Sequence, residues 1–165
     1  FMAYCPLELM QLFMFQSLRM TYMHFFQKVD QANLYTIKYP IYGILPVQID
    51  STFYIPKLEY NWYLITQGKM PVIVFVHGFI ADKIFFKGLA FEFTRRGFTC
   101  ITITCRGDHG SGGILGLTYK NEALTTLDYL EMLANAGFPI DMGRIGLICH
   151  SMGAYSVTLE YHWNH

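Results

Sequence analysis

The run RIGLICHSMGAYSVTLEYHWNH closes the chain, and within it Cys149-His150-Ser151-Met152-Gly153 sets a serine between an apolar run and a segment of helix-compatible residues. A serine hydroxyl serves as a nucleophile when a sharp strand-to-helix turn exposes it and the N–H groups of the following helix N-terminus favour the negative charge it generates. Gly153 supplies the small residue such a turn needs on one side. Cys149 stands on the other side, where glycine is usual, and its Cβ and sulfur are expected to tighten the turn. Two other stretches end apolar runs with glycine in the same way: His77-Gly78-Phe79, and RGDHGSGG from Arg106 to Gly113.

The elements that must position these residues follow from hydropathy. PVIVFVHGF is a continuous β-branched and aromatic run, as found in strands buried on both faces of a parallel sheet, and it ends at Gly78. From Asp82 to Arg96, helical spacing places Phe86, Leu89, Ala90 and Phe93 together, with Arg95 and Arg96 in the last turn and Gly97 as the stop. FTCITITC predicts a second buried strand. A helix is expected from about Tyr119 to Ala136, with Ala123, Leu124, Leu127, Leu130 and Leu133 on one face and Gly137 and Pro139 at its end; RIGLIC is then a third buried strand. Upstream, NLYTIKYP and VQIDSTFYIP are closed by Pro40 and Pro56 and predict two antiparallel strands near an edge. Alternation of strand and helix with right-handed crossovers gives an α/β fold, a central mostly parallel sheet flanked by helices. Ligands bind such sheets outside the carboxyl ends of the strands, which is where the three glycine-marked stretches fall.

In their order and context, VIVFVHGF, the helix ending FTRRGF, TCITITC with its RGDHGSGG loop, the helix ending NAGFP, and IGLICHSMGA resemble the N-terminal half of an α/β-hydrolase fold enzyme, from about Asn33 to the end of the chain. The resemblance implies Ser151 as nucleophile and the backbone N–H groups of Phe79 and Met152 as the oxyanion hole. It implies a serine hydrolase of carboxylic esters, thioesters or amides, working through an acyl-enzyme on a small-molecule acyl substrate with no metal or organic cofactor. The family's acid and histidine follow the nucleophile well downstream. Only fourteen residues follow Ser151 here, so the fold is expected to be truncated after the nucleophile helix. As written, the chain is expected to be inactive, with RIGLIC left as a naked strand edge. The alternative reading is a non-catalytic α/β-hydrolase-like binding or interaction domain.

No histidine in hand replaces the missing base on sequence grounds. His162 and His165 lie about 16–20 Å along the helix that Ser151 opens, at ~1.5 Å rise per residue. His150 should point away from the turn, His77 is expected to order its loop, His24 has no context, and His109 is an exposed loop histidine that is the one to test as a base. Asp108 and Asp128 are read as surface charges. The RGDHGSGG loop is neither G-x-G-x-x-G nor a P-loop and is read as a structural connection. Phe79, Ile80, Ile114 and Leu115 hint at an uncharged acyl group.

Twelve basic and twelve acidic residues cancel without a Lys/Arg cluster, so the footprint of a nucleic-acid binder is missing. Cys5, Cys100, Cys105 and Cys149 have no metal or redox spacing. Cys100 and Cys105, an odd number of positions apart, should face opposite sides of the sheet as buried free thiols, which leans towards a reducing, cytoplasmic setting. The chain opens with Phe1 and is read as processed or a piece. Residues 1–30 form an apolar, helical segment ahead of the domain at 31–165. Glu8 and Arg19 break its apolar run below the ~18–20 residues of a spanning helix, so it is expected to pack on the domain, with membrane association through residues 1–26 as the alternative.

Overall fold

The computed structural model describes residues 32–41, 47–57, 66–114 and 120–163, with side chains over 48–57, 66–114 and 121–158. The expectations for residues 1–30, for Leu115 and for His165 lie outside these ranges. Five strands form one sheet: β1 (Ala32–Ile41), β2 (Val47–Pro56), β3 (Met70–Val76), β4 (Thr99–Thr104) and β5 (Ile140–Cys149). Their spatial order is β1-β2-β4-β3-β5. β2 is antiparallel to both β1 and β4, whereas β3 is parallel to β4 and to β5. Four of the five strands therefore run in one direction and β2 against them. Among the described residues the helices beside the sheet are α1 (Lys87–Arg95), preceded by a 3₁₀ turn at Lys83–Phe86, then α2 (Lys120–Asn135) and α3 (Met152–Trp163).

Alternation along the strands splits the apolar side chains between two faces. On one, Ile49, Phe53, Val72, Val74, Val76, Ile101, Ile103 and Cys105 pack with Ala123 and Leu130 of α2 and with Met152 and Val157 of α3. On the other, Phe75 meets Phe86 at a ring-centroid distance of 5.2 Å and Tyr54 meets Phe91 of α1 at 5.1 Å. Cys100 and Cys105 are both buried and unbridged. Burial pushes the Cys100 thiol up to about 12 and raises that of Cys105 as well, so both behave as small apolar side chains.

Three sequence expectations are corrected. The helix expected to begin at Asp82 is a 3₁₀ turn first, because the Asp82 carboxylate accepts the Ile84 N–H at 2.8 Å and caps a tight turn; α1 then buries Ala90, Phe91 and Thr94. Leu124 of α2 is 37% exposed, while Glu122 and Thr126, polar and one turn apart, are fully buried. β5 is longer than RIGLIC and half-exposed, because among the described residues it has a strand partner on one side only. Its first residues bulge against β3 between Met70 and Val72, where Asp141 accepts from the Gly143 N–H at 2.9 Å and from Arg144 at 2.6 Å.

Candidate functional site

β3, β4 and β5 all end at the same edge of the sheet, which brings together the loops that begin at His77, Cys105 and His150. Ser151 occupies the turn between β5 and α3 with φ +50°, and it is one of two non-glycine residues in the left-handed region among those described. That conformation costs an ordinary side chain about 1–3 kcal/mol. The neighbouring chain holds it there: His150 N–H donates to Val76 O at 3.0 Å, Gly153 N–H to His150 O at 2.9 Å, and Tyr155 N–H to Ser151 O at 3.0 Å.

Both glycines near the serine are explained by close approach. A Cβ on Gly153 would stand 2.5 Å from His77 O and 2.7 Å from Val76 O, so the first turn of α3 can lie against the end of β3 only without a side chain there. A Cβ on Gly78 would meet the Ser151 Cβ at 2.9 Å and His150 Nδ1 at 2.8 Å, so the backbone after β3 runs beside the serine. Cys149, where glycine is usual, keeps an extended backbone opposite Val76 and packs against the core as a small apolar side chain, with its thiol pushed up to about 11 by burial. The backbone strain falls on Ser151 itself.

His77 is fully buried and works as the expected loop-ordering residue. Its Nε2 accepts the Cys105 N–H at 2.9 Å, which requires a lone pair on that nitrogen; Nδ1 therefore carries the proton and donates to Gly78 O at 2.6 Å. The neutral ring thus ties the β3 loop to the β4 loop and has no lone pair to offer Ser151. Burial holds its pKa below the ordinary histidine value. Asp108, 4.0 Å from Nε2, has a side chain only 6% exposed and is not the surface charge expected. Asp128 is exposed.

The RGDHGSGG loop turns its donors inward. Gly107, Asp108 and Ser111 N–H groups donate within the loop or to Cys105, Gly112 N–H donates to Gln48 O at 3.0 Å, and the Ser111 hydroxyl donates to Thr104 O and accepts the Asp50 N–H. A Cβ on Gly110 would sit 2.5 Å from Asp50 Oδ2, and that carboxylate is paired with Lys83 at 2.7 Å. These bonds leave the loop a structural connection with little capacity for phosphate. Sequence reasoning missed its main tether: Arg106 donates to the fully buried Glu122 of α2 through Nε at 2.5 Å and Nη2 at 3.2 Å. That pairing raises the Arg106 pKa.

Several apolar side chains of the loops and of α3 are in solvent. Phe79 is 54% exposed and Ile80 68%, the latter at φ +54°, a costly backbone for a β-branched residue. Phe85, Ile114 and Tyr155 are exposed as well. Among the described residues, the N–H groups of Phe79 and Met152 donate to no backbone carbonyl outside a helix, and no hydrogen bond joins Ser151 to a histidine. His109 is exposed in its loop, and α3 carries the His162 backbone away from the serine.

This architecture is that of an α/β-hydrolase fold, and the chain belongs to the alpha/beta hydrolase family, whose sequence profile matches residues 73–163. Three of the solved structures that share it show how distant the likeness is. A protein from Agrobacterium vitis S4, provisionally described as a hydrolase, aligns over 81% of this chain and 48% of its own with a TM-score of 0.57 and 21% identity. The Pyrococcus furiosus esterase Pf2001 aligns over 73% and 44%, at 0.53 and 16%. A Vigna radiata epoxide hydrolase mutant aligns over 80% and 35%, at 0.57 and 14%. At these identities the likeness establishes the fold alone, and the chain spans less than half the length of each. No match to a curated protein was found. Among the described residues, no helix is long and apolar enough to cross a membrane.

Proposed function

We propose that this chain is the nucleophile-bearing part of a serine hydrolase that cleaves carboxylic esters, or the related thioesters and amides, through an acyl-enzyme on Ser151. One observation carries the reading: the left-handed backbone of Ser151 between β5 and α3, held with the Gly78 backbone against its Cβ. A strained serine in a strand–turn–helix context is the nucleophile elbow, and strain of this kind persists where function uses it. Ser151 Oγ attacks the substrate carbonyl carbon while its proton passes to a general base. The carbonyl oxygen takes the negative charge, facing the N–H groups of Phe79 and Met152. The C–O bond to the alcohol then breaks, the alcohol leaves with a proton, and water hydrolyses the acyl-serine to the acid and free serine.

Each oxyanion donor of this type contributes about 2.7–4 kcal/mol to transition-state stabilisation, and the N-terminus of α3 adds its dipole. His77 is excluded as the base because both its nitrogens are committed. The acid and base are therefore not assigned to any described residue. An esterase is among the similar structures, an activity that suits a serine nucleophile. Treatment of the intact protein with a fluorophosphonate probe, followed by peptide mapping, should place the adduct on Ser151. Labelling that persists in Ser151→Ala overturns the assignment, and no labelling under any condition favours a non-catalytic binding domain.

A further inference from the structure

His150 precedes the serine, and its ring lies beside Gly78. Nδ1 lies 2.8 Å from the point where a Gly78 side chain would begin, so the imidazole fills the space that glycine leaves open. The same ring stacks on Phe85 of the 3₁₀ turn, with centroids 5.0 Å apart and planes 34° from parallel. Phe85 in turn meets Phe86 edge to face at 4.9 Å, Phe86 meets Phe75 at 5.2 Å, and Phe75 meets Phe93 at 6.3 Å. Phe75 and Phe86 are buried. A file of aromatic rings thus runs from the centre of β3 out to the residue beside the candidate nucleophile.

We infer that His150 is a positioning residue: wedged between Gly78 and Phe85, it fixes the backbone that presents the Phe79 N–H relative to Ser151. This inference rests on the Ser151 reading above. The logic is steric. The peptide after β3 carries a glycine beside Ser151, and glycine by itself leaves the backbone free to swing. Contact with a ring that is anchored through Phe85 to the core removes that freedom. The role asks for a flat ring of this size.

Two measurements test it. In fluorophosphonate labelling of the intact protein, His150→Ala should slow modification of Ser151 by about 10- to 100-fold, as expected when a reacting group is misplaced by an ångström or less. His150→Phe, which keeps the ring and abolishes titration, should stay close to the parent rate. Parent-like labelling of a folded His150→Ala protein overturns the inference, and so does equal loss in both variants, which would make the imidazole itself a participant.

The second measurement is independent of activity: thermal melting of His150→Ala, Phe85→Ala and the double variant. Contact between the rings requires the double variant to lose less than the sum of the two single losses. Additive shifts overturn the wedge. A parent protein that takes no label, or takes it equally in Ser151→Ala, sinks the nucleophile assignment, and the melting cycle then decides the contact alone.

Discussion

At the residue scale, His77 offers a measurable consequence of neutrality. Burial holds its pKa below the ordinary value of 6.5, so the folded ring is neutral, as its acceptance of the Cys105 N–H at Nε2 requires. The unfolded chain takes up a proton as pH falls through that value and the folded chain does not. Stability that is present above about pH 6.5 is therefore lost on acidification towards the folded pKa, at about 1.4 kcal/mol per pH unit for one proton. Melting curves from about pH 8 to 5 should show Tm falling below 6.5, and His77→Gln should flatten that slope; an undiminished slope in the variant would remove His77 as its source. Individual residues were unevenly legible in sequence. Ser151 was marked by its setting between an apolar run and helix-compatible residues, and His77 by its place beside Gly78. Asp108 was not, because a charge in a glycine-rich loop reads as solvated until the loop is seen folding over it. The strained backbone two residues beyond Cys149 was legible only as a consequence of the turn, since composition does not report φ.

The pair formed by Arg106 and Glu122 belongs to the scale of elements, because it bolts the loop after β4 to the first turn of α2. Glu122 has no exposed surface while Arg106 retains some, so the two are not equivalent. Arg106→Met leaves a carboxylate buried without its cation and should destabilise the protein by about 3–5 kcal/mol. Urea denaturation reads this directly, and Arg106→Met with Glu122→Leu should recover much of the loss. A double variant no more stable than Arg106→Met would argue that the loop needs the pair's hydrogen bonds rather than mere charge balance. Hydropathy located the described strands and helices, and it did best at the helix ends, where Gly97 and Gly137 stop helices at φ +95° and +93°; it misplaced the starts of α1 and β5. It misjudged what the helices bury. An acidic residue in the first turn of α2 reads as a dipole-favoured surface group, and the partner that draws Glu122 inward comes from another element.

For the molecule as a whole, strand order decides what is covered. β5 lies at the sheet edge among the described residues, with Leu147 38% exposed. An apolar edge with free N–H and C=O groups is a template for pairing, so residues 1–165 expressed as such should self-associate and Leu147→Lys should shift them towards monomer in light scattering. A monomeric parent would show the edge to be protected. This order was not legible in the sequence, because periodicity identifies strands without saying which become neighbours. Nothing in VQIDSTFYIP and MPVIVFV announces that β4, which follows both, lies between them. That interposition has a consequence in time. As the chain leaves the ribosome, the β1–β2 pair and the wholly apolar β3 emerge with no strand yet made to join them, and they cannot close on each other without shutting out β4. This wholly apolar strand therefore waits, unpaired on both sides, until the α1 segment and then Thr99–Thr104 have been synthesised. Long-range pairing of this kind is slow, and the interval makes Met70–Val76 the segment that a chaperone binding extended apolar chain should capture.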